Sequence, residues 1–203
     1  MRKILLLDIC GTITKKNTTI DFIQSLGKDL HWSKVLYGRI LWRLFKNDYL
    51  RRQYIKMLAG YSQDELSDLA EKYIENLELD DTILKYVSYL NSANFHLIFI
   101  SATLDNITSA LSKKFNANGI ISSKLEYENS ICTGKLSRDV LDMKEKHIES
   151  DIINPKNLTC LITDNYGDYA LSKKCTITFA VSRSKKSDMY WLNKEVNLIK
   201  RHS

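Results

Sequence analysis

Three short polar segments contain the residue types that phosphoryl chemistry requires. They are Asp8-Ile9-Cys10-Gly11-Thr12, Ser101-Ala102-Thr103 and Asp164-Asn165-Tyr166-Gly167-Asp168. An aspartate can attack phosphorus to form an aspartyl-phosphate, and carboxylate oxygens are ligands that magnesium prefers. Hydroxyl groups can donate hydrogen bonds to phosphate oxygens, and a lysine can offset the negative charge that gathers there. Each residue alone has a structural interpretation as well, such as Ser101 capping a helix.

Each of these segments ends or follows a short apolar run. The runs cover residues 3–8, 96–101 and 158–164, and a fourth run covers 176–182. Near-continuous apolar runs of this length are typical of parallel strands whose two faces are both covered by helices. Because the carboxyl ends of such strands meet at one edge of the sheet, where ligands bind, we expect the three polar segments to converge.

Amphipathic segments separate the apolar runs and predict helices. They lie near residues 82–92, 104–115, 137–149, 166–174 and 186–198. This alternation predicts the fold class: α/β, with a Rossmann-like doubly wound parallel sheet. Residues 119–136 are less regular, and Glu128-Asn129-Ser130 between two short apolar stretches predicts a small hairpin there.

Residues 15–81 carry no strand signal and show helical periodicity. Asn17 offers a capping side chain near the start of this stretch, and Ser62 with Glu65 forms a capping-box pattern before an amphipathic run. The pattern predicts a small all-helical cap at residues 15–81, inserted after the first strand. The α/β core then consists of residues 1–14 and 82–203.

The chain is basic, with a formal net charge of +6. This charge favours acidic partners such as phosphorylated metabolites, nucleic acid or anionic membrane, and is equally compatible with a solvated basic surface. Residues 32–56 concentrate basic and aromatic side chains, which fits a packed cap, a lid over a ligand or a helix on a membrane surface. We favour packing, expect a small phosphorylated substrate and no nucleic acid as partner, and regard membrane-surface contact as the weaker interpretation.

The N-terminus shares some features with a secretion signal, because Met1-Arg2-Lys3 precedes an apolar run. Asp8 interrupts that run after four residues, whereas a signal sequence needs about 7–15 apolar residues. No run reaches the ~18 apolar residues that cross a bilayer. The four cysteines show neither a paired metal-ligand spacing nor a dense disulfide framework. We therefore expect a cytoplasmic protein.

The polar segments together resemble the motifs of the haloacid dehalogenase (HAD)-like hydrolase superfamily. Asp8-Ile9-Cys10-Gly11-Thr12 is similar to its Asp-x-Asp-Gly-Thr signature, and Ser101, a lysine and the Asp164–Asp168 segment follow in the same order. The insert after the first strand resembles the helical cap of the phosphoserine-phosphatase-like branch. The resemblance implies a phosphate monoester hydrolase or phosphotransferase that uses Mg²⁺ and acts through an aspartyl-phosphate.

The resemblance also implies roles for individual residues. Asp8 is the expected nucleophile, and the expected magnesium ligands are Asp8, the backbone carbonyl of Cys10 and Asp164. The expected phosphate-binding residues are Gly11, Thr12, Ser101 and Ala102. Asp168 is expected to support an active-site lysine or a metal-bound water.

Three lysines are candidates for that position. We assign it to Lys144, which opens a predicted helix at 144–149. Lys146 is the second candidate, and Lys135, which follows Gly134 in a predicted turn, fits less well.

Cys10 departs from the signature, which places a second aspartate at this position to protonate the leaving oxygen and then activate water. Such general acid–base help is worth ~10²–10⁴-fold in rate. A thiol can donate a proton but is a poor base for water, so we keep Cys10 as a catalytic candidate and expect slow hydrolysis. Three interpretations stay open: a slow phosphatase, an enzyme for good leaving groups, or a catalytically impaired HAD-like protein that binds a phosphorylated ligand.

Overall fold

A seven-stranded sheet organises the structure, a computed structural model that describes residues 1–45, 47–182 and 184–200. The strands are β1 (Lys3–Leu7), β2 (His96–Leu104), β3 (Gly119–Glu128), β4 (Ile131–Arg138), β5 (Leu158–Thr163), β6 (Ile177–Val181) and β7 (Asn197–Ile199). They lie in the order β4-β3-β2-β1-β5-β6-β7. Neighbouring strands are parallel except β3 and β4, which are antiparallel.

In the part of the chain that the structure describes, α-helices lie between most successive strands. They are α1 (Thr18–Ser25), α2 (Trp32–Phe45), α3 (Tyr49–Lys56), α4 (Gln63–Glu75), α5 (Asp81–Ser92), α6 (Asp105–Phe115), α7 (Tyr169–Ser172) and α8 (Lys185–Leu192). Two 3-10 turns accompany these helices: Lys144–Lys146 lies between β4 and β5, and Tyr166–Asp168 directly precedes α7.

The side chains of β1 show that both faces of the sheet are covered. Leu5 and Leu7 belong to one hydrophobic core, whereas Ile4 and Leu6 belong to a second core. Successive side chains of a strand point to opposite faces, so the two cores lie on opposite sides of the sheet. The predicted α/β fold with a doubly wound, mostly parallel sheet is confirmed. The apolar runs predicted as strands correspond to β1, β2, β5 and β6.

The segment between β1 and β2 contains α1 to α5, and in its described part the regular elements are all helices. Both predicted caps form: the Asn17 side chain accepts a hydrogen bond from the backbone N–H of Ile20, and Ser62 accepts one from Glu65. The limits of a separate cap at residues 15–81 stay a prediction. We call α1 to α4 the helical insert.

The predicted hairpin is confirmed and is larger than expected, since β3 and β4 span Gly119–Glu128 and Ile131–Arg138. Asn129 and Ser130 join the strands with φ values of 49° and 65°. Positive φ at both central residues is the geometry that matches the twist of a two-residue hairpin.

The helix predicted at residues 137–149 was wrong. Strand β4 continues to Arg138, and only the 3-10 turn Lys144–Lys146 lies within the rest of that stretch. Asp139 accepts a hydrogen bond from the N–H of Leu141, and Asp142 adopts a φ of 55°. Both features turn the backbone away from a helix, so Lys144 lies in a short turn rather than at the start of a helix.

The helix predicted at residues 186–198 was only partly right. Helix α8 ends at Leu192, and Glu195 reverses the chain with a φ of 57°. Residues Asn197–Ile199 then pair in parallel with β6 as strand β7. The segment predicted as a helix at 166–174 consists of a 3-10 turn followed by the short helix α7.

Candidate active site

Lys144 lies at the centre of a buried charged cluster. Its Nζ atom is 2.9 Å from Asp8 Oδ2 and 2.8 Å from Asp168 Oδ2. The Thr163 hydroxyl donates to the same Asp168 oxygen at 2.6 Å. The side chains of Lys144, Asp8 and Asp168 are between 2% and 4% exposed, so water and salt screen their interactions only weakly.

The charges in this cluster control the protonation of Lys144. Burial would lower the pKa of Lys144, but the negative charges of Asp168 and Asp8 outweigh burial and raise that pKa above its ordinary value. Lys144 is therefore a permanent cation at physiological pH. Burial raises the pKa of Asp168, while the charge of Lys144 and the Thr163 hydroxyl oppose that rise.

Neighbouring strands bring Asp8 and Asp168 together. Asp8 directly follows β1, and its N–H donates to the Ile162 carbonyl of β5 at 3.0 Å. Thr163 ends β5, and the next residues form the 3-10 turn that carries Asp168. Because β1 and β5 are paired in parallel, with Leu7 opposite Ile162, their polar ends meet at one sheet edge as the sequence predicted.

Asp164 is the second carboxylate of the predicted metal site, and it is 2% exposed. It lies one residue past β5, so Asp8 and Asp164 follow adjacent parallel strands. Thr12 donates a hydrogen bond to Asp164 Oδ1 at 3.1 Å. No group of three or more His, Cys, Asp or Glu side chains in the described ranges has the arrangement of a metal site. The predicted set has two carboxylates and the Cys10 carbonyl, all oxygen donors, and such donors suit Mg²⁺.

Cys10 lies in the site among hydroxyl groups. Its Sγ is 3.1 Å from Thr18 Oγ1 and 3.2 Å from Thr103 Oγ1, and the backbone N–H of Thr18 donates to it at 3.4 Å. Thr103 Oγ1 is in turn 2.8 Å from Thr18 Oγ1 and 3.0 Å from Ser101 Oγ. A chain of side-chain hydrogen bonds therefore connects Cys10 to Ser101.

A cavity of about 440 Å³ opens above this sheet edge. Asp8, Cys10, Ser101 and Lys144 line its floor, and the helical insert contributes residues including Trp42. A volume of this size accommodates a small organic ligand. The cavity therefore combines a buried cation, a carboxylate and hydroxyl groups beneath a partly apolar cover.

The predicted phosphate-binding residues fall into two groups. Ser101 and Ala102 line the cavity beside Asp8. Gly11 and Thr12 are not among the lining residues; Gly11 turns the chain with a φ of 74°, and the Thr12 hydroxyl is directed to Asp164. The structure thus brings Ser101 and Ala102 to the ligand space, whereas the Thr12 hydroxyl binds Asp164 instead.

The three candidate lysines differ in position. Lys144 is buried against Asp8 and Asp168, whereas Lys146 is exposed at the end of the same 3-10 turn. Lys135 is an exposed residue of strand β4. The geometry therefore favours Lys144 as the lysine of the site.

Arg51 of α3 connects the helical insert to the sheet. Its guanidinium donates to both carboxylate oxygens of Asp139, with the shortest distance 3.0 Å, and to Asp48 at 2.9 Å. It also donates to the Ala102 carbonyl at 2.8 Å and to Ser123 Oγ at 3.0 Å. Burial alone would raise the pKa of Asp139, but its contacts with Arg51 lower that pKa below the ordinary value.

We predict that Arg51→Met destabilises the protein by about 3 kcal/mol, because it leaves two partly buried carboxylates without their cation. Arg52→Met is the matched control, since Arg52 is the exposed neighbour in the same helix and its loss should cost less than about 0.5 kcal/mol. Urea denaturation of both variants measures the difference in the free energy of unfolding. Equal stability of the two variants would show that the Arg51 contacts contribute nothing.

Several residues of the site were not predicted from the sequence. Thr163 and Thr103 lie next to predicted residues, and their positions at strand ends were the available signal. Arg51 gave no such signal, because it is one of many cations in residues 32–56 and its partner Asp139 lies 88 positions away. Asp139 was hidden inside a segment predicted as a helix.

The chain belongs to the haloacid dehalogenase-like hydrolase family, because the sequence model of that family matches residues 5–172. That match spans most of the chain and includes Asp8, Ser101, Lys144, Asp164 and Asp168. No curated protein matches the chain.

Solved structures with the same fold include phosphoserine phosphatases. A phospho-aspartyl intermediate analogue of phosphoserine phosphatase has a TM-score of 0.69 at 16% identity, covering 100% of this chain and 94% of that one. A phosphoserine phosphohydrolase-like protein from Francisella tularensis subsp. tularensis SCHU S4 gives 0.70 at 18% identity, covering 98% and 95%. A protein of unknown function from Bordetella pertussis Tohama I gives 0.78 at 16% identity, covering 98% of each chain. These likenesses establish the phosphoserine-phosphatase-like fold.

Proposed function

We propose that this protein is a magnesium-dependent phosphate monoester hydrolase that acts through an aspartyl-phosphate on Asp8. The buried contact of Lys144 with both Asp8 and Asp168, at the floor of a cavity, is the observation that carries the proposal. Membership in the HAD-like hydrolase family supports the same chemistry. The cavity volume of about 440 Å³ suits a small phosphorylated substrate.

In the first step, a carboxylate oxygen of Asp8 attacks phosphorus, and the bond from phosphorus to the leaving oxygen breaks. Lys144 holds the Asp8 carboxylate in place and stabilises the negative charge that gathers around the phosphoryl group. The Ser101 hydroxyl and the N–H of Ala102 are the proposed donors to phosphate oxygens. The Cys10 thiol, or solvent, supplies the proton that the leaving oxygen needs.

In the second step, water cleaves the aspartyl-phosphate, which releases phosphate and restores Asp8. This water needs a base that takes its proton, and a thiol at position 10 is a poor base. We therefore propose that the aspartyl-phosphate persists and that overall turnover is slow. Good leaving groups will react faster than poor ones in the first step, because they depend less on the thiol proton.

Asp8, the Cys10 carbonyl and Asp164 are the proposed ligands of Mg²⁺, which when bound would neutralise negative charge on the carboxylates and the phosphate. The charge of the cluster supports this assignment. With all groups ionised, Asp8, Asp164 and Asp168 carry three negative charges, and Lys144 contributes one positive charge. A divalent cation would balance the remaining two.

We predict that chelation of divalent metal removes turnover of p-nitrophenyl phosphate and that added Mg²⁺ restores it. Mg²⁺ should also raise the melting temperature, since a ligand at 100 times its Kd stabilises the folded state by about 2.7 kcal/mol. In Asp164→Asn this stabilisation should be largely lost, because the variant removes one proposed ligand charge. Turnover that continues at full rate after exhaustive chelation would contradict the metal assignment, and no turnover under any metal would favour a phosphate-binding protein instead.

A further inference from the structure

Helix α2 directs an apolar face to solvent. Leu36, Ile40 and Leu44 are 51%, 46% and 66% exposed. Their spacing of four residues places them on the same side of the helix. A surface helix of a globular protein normally directs such a row to the core and places polar residues outside. Here the arrangement is reversed.

The inner side of α2 is already occupied. Gly38 is buried against Leu50 of α3, and a Cβ atom at position 38 would approach Leu50 Cβ to 2.9 Å. Tyr37 and Tyr49 form an edge-to-face ring contact between the same helices, with centroids 5.3 Å apart. This close packing fixes the rotation of α2, so the exposed row cannot turn inward without separating the two helices.

Large exposed apolar side chains are concentrated in this helix, and Trp32 lies one turn before Leu36 on the side of the row. Of the seventeen that are exposed among the described residues, seven lie in this one helix: Trp32, Leu36, Tyr37, Ile40, Trp42, Leu44 and Phe45. Such clustering marks an interaction surface, whereas scattered single residues do not.

The charges of α2 have one sign. The helix contains Lys34, Arg39 and Arg43 and no acidic residue. Arg39 and Arg43 flank the row of Leu36, Ile40 and Leu44 at helical spacing. A helix with exposed apolar and aromatic side chains and flanking cations has the chemistry of a surface that binds anionic lipid headgroups.

We propose that α2 docks on an anionic membrane surface, with its apolar row in the headgroup boundary and its cations against lipid phosphates. At 14 residues the helix is about 21 Å long, too short to cross a bilayer. Across the described ranges, no helix has the length and apolarity of a membrane span. The helix therefore lies on the membrane.

A second copy of this chain fits the surface less well. A symmetric dimer places the same patch of both subunits face to face, which gathers Arg39 and Arg43 of both helices in one contact. Like charges in a desolvated contact are repulsive. An anionic bilayer supplies the opposite charge.

The docking face adjoins the cavity. Gly38, Arg39 and Trp42 of α2 line the same space as Asp8. A docked α2 would therefore hold the mouth of the cavity at the membrane surface. The docking itself does not depend on the proposed hydrolysis, and it is tested by binding alone.

We expect the full chain to sediment with phosphatidylcholine vesicles that contain phosphatidylserine, and to bind pure phosphatidylcholine vesicles much more weakly. The triple variant Leu36→Ser/Ile40→Ser/Leu44→Ser should lower partitioning by about 10²-fold or more, because it removes the apolar row. Lys34→Gln/Arg43→Gln should weaken binding about fivefold for each charge, and added salt should have the same effect on the wild type. None of these five residues lines the cavity.

The matched control is Met189→Gln/Leu192→Gln in α8, which removes two side chains that are 65% and 57% exposed. Helix α8 packs beside β7, whereas α3 packs beside β4 at the opposite edge of the sheet. Partitioning of this control should equal that of the wild type. If vesicle partitioning of this control falls as much as that of the triple variant, the assignment of membrane docking to α2 is overturned.

Tryptophan fluorescence gives an independent readout. Trp32, four residues before Leu36, is 69% exposed at the docking face, whereas Trp42 lines the cavity and Trp191 is fully buried. Binding to vesicles with phosphatidylserine should shift the tryptophan emission to shorter wavelengths and reduce its quenching by acrylamide. No binding to these vesicles at low salt would overturn the proposal, as would a dimer in ultracentrifugation that the triple variant abolishes without any vesicle binding.

Discussion

Replacing Asp8 with asparagine will lower phosphate release by about 10³-fold or more. Asparagine has the shape of aspartate, but its amide is not a nucleophile towards phosphorus. Asp8 Oδ2 contacts Lys144 at 2.9 Å, and Oδ1 accepts the Ile9 N–H at 2.8 Å. An amide has a single oxygen, so it can satisfy only one of these two donors.

Mass spectrometry of acid-quenched protein gives a direct measurement beside the steady-state rate. Wild-type protein mixed with p-nitrophenyl phosphate and Mg²⁺ should carry one phosphoryl group, because water removes it slowly when position 10 is a thiol. Asp8→Asn should carry none, and its melting temperature should confirm that it is folded. Undiminished turnover in this variant would remove Asp8 as the nucleophile.

Replacing Cys10 with aspartate will raise kcat by about 10²–10⁴-fold, the usual contribution of general acid–base catalysis. The surroundings of Cys10 Sγ suit a carboxylate. The Thr18 hydroxyl, the Thr103 hydroxyl and the Thr18 N–H lie within 3.4 Å of the sulfur and can all donate hydrogen bonds. Cys10 lines the cavity with Asp8, so the new carboxyl group reaches the same space as the leaving oxygen.

The controls for this variant separate acid–base chemistry from shape. Cys10→Asn has the same size as the aspartate variant but cannot exchange a proton, so its rate should stay near that of the wild type. The gain in Cys10→Asp should be larger for an alkyl phosphate than for p-nitrophenyl phosphate, because a poor leaving group needs the acid more. If kcat rises as much in Cys10→Asn as in Cys10→Asp, our assignment of position 10 is wrong.

The parts of the fold that the sequence predicted are those where one local pattern determines the structure. β1, β2, β5 and β6 are buried on both faces, which requires an almost continuous apolar run in each. Polar residues that directly follow such runs must lie at one sheet edge. Asp8, Ser101 and Asp164 were therefore predictable candidates: Asp8 and Ser101 line one cavity, and Asp164 follows β5, the parallel neighbour of β1.

The parts that were missed depend on contacts between distant residues. Residues 137–149 were predicted as an amphipathic helix, but Asp139 binds Arg51 and turns the chain instead. Strand β7 has only three residues, Asn197–Ile199, and exists because β6 offers an edge for pairing. No local pattern carries information about these partners.

The central place of β1 in the sheet has a consequence for the time course of synthesis. β1 lies between β2 and β5, and Asp8 meets Thr163, which follows it by 155 positions. At about 5–20 residues per second, roughly 8–30 s pass between the synthesis of these two residues. During that interval the apolar β1 lacks its neighbour β5, and until residue 104 is made it lacks β2 as well, so it is exposed to aggregation. The proposed nucleophile is therefore synthesised well before Thr163 and Asp168, the residues that meet it across the sheet or through Lys144.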